Sequence, residues 1–146
     1  MSKQAPDKIR TVEQAYDDER PWGSYEVLVD EKTYKVKRLT VNPGARLSLQ
    51  SNRHRQEHWF IAEGEATVTI GPVEEDHEVL TVKTLTAGEY IDIPKGYKHR
   101  IANPGTEPMI FIEVQTGDYF GEDDNIRYED DYDRESPDYE GADGDS

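Results

Sequence analysis

Two stretches of this chain, each opened by a glycine, restrict it to short, half-buried strands joined by tight turns. The first runs from Gly44 to Gly64, GARLSLQSNRHRQEHWFIAEG, and the second from Gly88 to Asn103, GEYIDIPKGYKHRIAN. Leu47 and Leu49 alternate with Arg46, Ser48 and Gln50, the period of a strand with one buried face, and Trp59 to Ala62 reads as the strand that follows. Strand period puts Gln50, Asn52 and His54 on one face. In the second stretch Tyr90 to Ile93 is a strand, Pro94-Lys95-Gly96 a turn, and His99 to Ala102 the returning strand. A single histidine, His99, therefore enters from a neighbouring strand.

The rest of the chain extends this pattern. Tyr25 to Val29 and Thr33 to Val41 are strands, Asn42-Pro43-Gly44 is a turn, and Glu65 to Ile70 points Ala66, Val68 and Ile70 inward. Gly71 to Glu78 reads as an acidic hairpin loop, Val79 to Leu85 as a strand, and Met109 to Gln115 as the last one. Nine or so short strands predict an all-β jelly-roll barrel. Thr11 with Glu13 and Gln14 predicts a short N-terminal helix to about Asp18. Tyr119, Phe120, Ile126, Tyr128 and Tyr132 are expected to pack on the outside of the barrel. From Glu135 the sequence is too poor in apolar residues to offset the entropy of ordering it, which predicts a disordered acidic tail. The domains so read are an arm over 1–19, a barrel over 20–134 and a tail over 135–146.

Charge narrows the partners. Of the net −15, thirteen acidic residues against Arg127 and Arg134 lie between Gly117 and Ser146. A chain so acidic is a poor ligand for nucleic acid or an anionic membrane, both of which are bound through clustered Lys and Arg. No hydrophobic run reaches transmembrane length, the N-terminus has no apolar signal core, and no cysteine is present for a disulfide or thiolate site. A cytoplasmic location is expected. No glycine-rich phosphate loop or nucleotide-binding βαβ unit is present either, which argues against nucleotidyl transfer by this chain.

The two stretches resemble the paired motifs of the cupin superfamily. Gly88, Pro94, Gly96, His99 and Asn103 stand at the spacing of the second motif; Gly44, positions 50 and 52, Glu57 and Gly64 stand at that of the first. Gln50 and Asn52 occupy places where most cupins have histidines. Glutamine inside LSLQ, followed by EHW, is similar to the type II mannose-6-phosphate isomerase family, which also occurs as the C-terminal domain of bifunctional mannose-1-phosphate guanylyltransferases. Arg20-Pro21-Trp22-Gly23, Tyr34 to Leu39 and Glu113 to Arg134 agree with it, so the resemblance spans about residues 20 to 134.

That resemblance implies a cupin double-stranded β-helix and a divalent metal ion, Zn, Mn, Co or Fe, held by Gln50, Asn52, Glu57 and His99. Oxygen donors with one imidazole suit such ions. The family has histidine where this chain has Asn52, a change that removes a nitrogen ligand. Isomerisation of mannose 6-phosphate and fructose 6-phosphate needs a polarised carbonyl and a group that moves a proton between C1 and C2. His54, Lys98 and Arg100 are the catalytic candidates, while His58 alternates away from the ligand face. His54 is equally a substitute ligand or a rim histidine. Arg46, Arg53, Arg55 and Arg100 are candidates for the phosphate, although each is also readable as a solvated charge. The alternative function is a non-catalytic cupin module that binds a sugar phosphate or nucleotide sugar. In both readings the partner is a small molecule, and a homodimer is expected, because a small barrel leaves an open sheet edge.

Overall fold

Strands with one apolar face bury it most simply by placing two sheets face to face, and this chain does so. The structure, a computed structural model, describes residues 17–73 and 80–132. One sheet runs in the order β1 (Asp17–Arg20), β2 (Gly23–Asp30), β3 (Tyr34–Val41), β10 (Met109–Gly117), β5 (Arg55–Glu63) and β8 (Tyr90–Ile93). The facing sheet runs β11 (Asn125–Glu129), β4 (Leu49–Asn52), β9 (Lys98–Ala102), β6 (Glu65–Gly71) and β7 (Thr81–Thr86). Every pairing is antiparallel. The expected all-β jelly roll is therefore formed.

Alternation decides what lies between the sheets. Strand β5 turns Trp59 and Ile61 inward and Phe60 outward, and β10 turns Met109 and Phe111 inward. With Val41, Ala66, Val68 and Ile101 they make one apolar core, each large side chain contributing about 1.5–3 kcal/mol. The same phase, continued along β5 and β10, carries Arg55, Glu57, Glu113 and Gln115 inward as well, and all four are buried. One end of the barrel is thus apolar and the other is polar.

The chain departs from the sequence reading at its ends. Asp17 and Asp18, expected in a short helix, belong instead to β1, where they pair with Glu26 and Tyr25 along the open side of β2; the preceding part of that helix lies outside the described residues. An eleventh strand, β11, forms where only packed aromatics were expected, because the edge of β4 offers unpaired backbone groups to it. Gly117 hands the chain over to this segment, and a Cβ there would sit 2.3 Å from the His54 carbonyl oxygen. Part of the expected acidic hairpin loop, 74–78, the first residue of the strand expected from Val79, and the whole expected tail, 135–146, lie outside the described residues. Among the described residues no helix is long and apolar enough to cross a membrane.

Candidate functional site

The polar end of the barrel opens into a cavity between the sheets. Its apolar wall is built by Leu39, Trp59, Ile101 and Phe111, and its polar wall by Glu57, Glu113 and Gln115 of one sheet facing Gln50 and His99 of the other. Register explains the grouping: Glu57 pairs with Gln115, Trp59 and Lys37 flank Glu113 on either side, and Gln50 pairs with His99. Cross-strand neighbours on one face stand about 5 Å apart, so a short polar row on each sheet suffices to line the cavity.

Glu57 is the electrostatic centre. Arg55 Nε donates to its Oε2 at 2.9 Å and Trp59 Nε1 donates to its Oε1 at 2.9 Å. Burial alone would raise its pKa, but the Arg55 guanidinium and a hydrogen bond with Glu113 outweigh that and hold it well below the usual carboxylate range. Glu113 receives the opposite treatment: burial, then the neighbouring Glu57 charge, push it up to about 8 in spite of Lys37 and Arg55. At neutral pH the pair therefore consists of one carboxylate and one carboxylic acid. Trp59 Nε1 also reaches Glu113 Oε2 at 3.3 Å, and Gln115 Nε2 donates to its Oε1 at 3.2 Å. Burial likewise draws Lys37 below the ordinary lysine value, against the pull of Glu113.

His99 faces this pair from the second sheet. Its Nδ1 lies 3.1 Å from the Tyr97 carbonyl oxygen, which fixes the proton on Nδ1, and Nε2 then directs a lone pair toward Glu57 Oε1 at 3.9 Å. Burial lowers its pKa, outweighing the attraction of Glu57, so the ring is neutral at neutral pH. The Trp59 ring meets it edge-on with centroids 5.4 Å apart, which holds its orientation.

The residues singled out in the sequence divide into two groups. Gln50, Arg55, Glu57, His99 and Arg100 come together around the cavity. Of these, Arg55 is engaged by Glu57, and Arg100 donates to the Leu47 carbonyl and to Glu129 at 2.9 and 3.1 Å. Asn52, His54, Lys98, Arg46 and Arg53 do not line it. Asn52 is buried and donates its amide to Asn125 Oδ1. His54, half exposed, bonds Asp124 through Nδ1 at 2.9 Å, because the turn after β4 swings it out of strand phase. Lys98 places its ammonium over the Tyr128 ring, and Arg46 makes a bidentate pair with Asp131. Arg53 is exposed, with its backbone N–H on Asp124. His58, as expected, alternates outward and meets Asp92. Lys37 and Glu113 are among the cavity residues that sequence reading missed, together with Arg20, Tyr25, Gln115, Asn125 and Arg127. The available signal was an ionisable side chain in the apolar phase of a strand, in KVKRL and in IEVQ.

Among the described residues no three His, Asp, Glu or Cys side chains converge as a metal site. One imidazole and one carboxylate do face each other, and Gln50, on the strand beside His99, lines the same cavity with its amide nitrogen donating to Ser48 Oγ at 3.1 Å. A neutral imidazole whose lone pair faces a carboxylate is an arrangement that a cation placed between them would stabilise, so His99, Glu57 and Gln50 fit a divalent ion as three donors. Asn52 Oδ1 is buried with no hydrogen-bond partner, but lies outside the cavity lining.

Comparison with known proteins agrees with this architecture. Residues 7–130 match the family described as Mannose-6-phosphate isomerase C-terminal. The xanthan biosynthesis protein XanB of Xanthomonas campestris is 49% identical over 115 residues, which are 79% of this chain and 23% of that protein. Over 115 residues the alginate biosynthesis protein AlgA of Pseudomonas aeruginosa is 48% identical and the mannose-1-phosphate guanylyltransferase ManC of Salmonella typhimurium 45%; each match covers 79% of this chain and 22% of the relative. The chain spans less than a quarter of the length of these relatives. In fold it is similar to the capsular polysaccharide assembling protein CapF of Staphylococcus aureus, with a TM-score of 0.69 and 20% identity over 79% of this chain and 32% of that one. Oxalate decarboxylase of Bacillus subtilis is similar at a TM-score of 0.67 and 22% identity, over 80% of this chain and 30% of the other. On a family match covering most of the barrel, the chain belongs to the mannose-6-phosphate isomerase C-terminal family, on a cupin fold.

Proposed function

We propose that this chain is a metal-dependent sugar-phosphate isomerase that interconverts mannose 6-phosphate and fructose 6-phosphate by moving a proton between C1 and C2. The observation that carries the reading is the neutral His99 Nε2 facing the Glu57 carboxylate, with Gln50 beside them, inside a cavity that cations also line. Those three side chains would hold the ion; when bound it supplies polarisation of the substrate carbonyl. Glu113 keeps its proton at neutral pH and lies next to Glu57, so it is the proton-holding group of the cavity. Of the three catalytic candidates from the sequence, Arg100 alone lines the cavity. Trp59, Leu39 and Phe111 give the apolar wall that excludes water and strengthens these interactions.

Family membership supports the substrate class, and the relatives are named for xanthan biosynthesis and for mannose-1-phosphate guanylyl transfer. One observation favours the second reading, a module that binds a sugar phosphate or nucleotide sugar without turning it over: the Asn52 amide is tied to Asn125, leaving three donors rather than four. The experiment is to incubate the zinc- or cobalt-loaded protein with mannose 6-phosphate in deuterated water and follow the C2 proton by NMR. Fructose 6-phosphate carrying solvent deuterium is the expected result. Binding of the sugar phosphate with neither product nor exchange would leave the module. Pairing of two copies through the outer sheet face is part of the proposal, and light scattering at 16.8 kDa would count against it.

A further inference from the structure

Five cations line the cavity of a protein that is otherwise strongly acidic, yet they are not equivalent. Arg55 is held by Glu57 and Arg100 by Leu47 and Glu129. Lys37 is different: among the described residues it has no ion pair and no hydrogen bond, and its ammonium rests 4.5 Å from the centre of the Tyr25 ring. Arg20 comes to the same tyrosine from β1, with its guanidinium carbon 5.3 Å from the ring centre and Nη2 3.2 Å from the Tyr25 hydroxyl. Tyr25 itself is buried, so the ring that gathers the two cations is fixed.

Two cations drawn to one aromatic ring each gain a cation–π contact and repel one another. A multiply charged anion between them would turn that repulsion into attraction, and a guanidinium fork beside a point-like ammonium is a combination suited to phosphate oxygens. Position sharpens the inference. β3 and β5 flank β10, and the register sets Lys37 level with Trp59, two residues along β5 from Glu57, so the Lys37 and Glu57 backbones stand about 12 Å apart on the diagonal. A ligand that reaches both groups carries its phosphate at one end and its reacting carbonyl at the other.

We propose that Lys37 and Arg20, gathered by Tyr25, form the phosphate subsite of the cavity and select sugars whose phosphate is remote from the carbonyl carbon. This rests on the sugar-phosphate reading above. The test is calorimetric titration of the full chain, wild type and the variants Lys37→Met, Lys37→Arg and Arg20→Gln, with mannose 6-phosphate, mannose and inorganic phosphate. The expected result is that Lys37→Met and Arg20→Gln each weaken mannose 6-phosphate at least tenfold and leave mannose unchanged, and that Lys37→Arg recovers most of the loss. Lys37→Met keeps the stem on Tyr25, and a melting curve like that of the wild type confirms that it folds. Undiminished binding of mannose 6-phosphate by both charge-removing variants would overturn the subsite and leave the function standing. Binding of inorganic phosphate that depends on Lys37, without binding of mannose 6-phosphate, would keep the anion subsite and remove the sugar phosphate. Wild-type protein that binds neither would overturn both.

Discussion

The side-chain amide of Asn52 donates to Asn125 Oδ1 inside the protein, joining residues 73 positions apart across the β4–β11 pair. Asn125 Oδ1 also takes Arg55 Nη2 at 3.4 Å, so one oxygen links the C-terminal strand to the cavity's main ion pair. Replacing Asn52 with Leu takes this donor away from the Asn125 oxygen, and the expected loss is about 1–2 kcal/mol. Urea unfolding of Asn52→Leu, Asn125→Leu and the double variant should show coupling of about 1 kcal/mol. Strictly additive losses would mean that the two amides do not act together.

Metal affinity follows a different division. Glu57→Gln and His99→Ala remove donors that face one another, and zinc and cobalt binding measured by equilibrium dialysis should fall by more than the roughly tenfold that loss of a supporting partner brings. Asn52→Ala should leave the affinity within about twofold of the wild type, because its side chain is turned to Asn125. A large loss in Asn52→Ala would show instead that this residue reaches the ion.

Strand alternation made most of the barrel legible, and the paired motif spacing pointed to Gln50, Asn52, Glu57 and His99, of which all but Asn52 line the cavity. What alternation misplaced was decided by tertiary pairing. Period two put Asn52 and His54 on the face of Gln50; Asn52 keeps the strand phase but turns its amide to Asn125, whereas the turn at 53–54 breaks the phase and Asp124 holds His54 outside the cavity. Strand β11 was hidden because its acidic, turn-rich surroundings carry no apolar rhythm; it exists because β4 had an open edge to fill. Lys37 and Glu113 were written in the apolar phase of their strands, but only the register Lys37–Glu113–Trp59 shows that they share one wall.

Glu113 should make stability depend on pH in a direction unusual for a carboxyl. Its folded pKa, about 8, lies above the unfolded value near 4.3, so between these the folded chain holds a proton that the unfolded chain has lost. Its contribution is present below the unfolded value and is lost as pH rises through the folded one. Glu57, whose pKa is lowered, works the opposite way and loses its contribution only as the solution becomes strongly acidic. Urea unfolding between pH 5 and 9 should therefore show a decline in the wild type that Glu113→Gln flattens. An unchanged decline in that variant would place the titrating group elsewhere.

The turn that carries the chain from β4 into the cavity strand is held by one buried carboxylate. Asp124 accepts the backbone N–H groups of Arg53 and His54 at 3.1 and 3.0 Å, together with His54 Nδ1 at 2.9 Å. Arg55 directly follows this turn and Glu57 comes two residues after it, so the aim of the site's central ion pair depends on this anchor. Asp124→Asn keeps the size of the side chain but offers one acceptor oxygen and no charge. Hydrogen bonds to a charged acceptor are worth about 1.5–3 kcal/mol, and a stability loss of that order is expected. His54→Ala should cost less than about 1 kcal/mol, since that ring is half exposed and the two backbone bonds remain. Hydrogen exchange separates an anchoring role from a general one: in Asp124→Asn the amides of Arg53 and His54 should lose protection well before those of β6, which lies two strands from β4 in the sheet. Equal loss along both segments would mean that Asp124 supports the barrel as a whole rather than this turn.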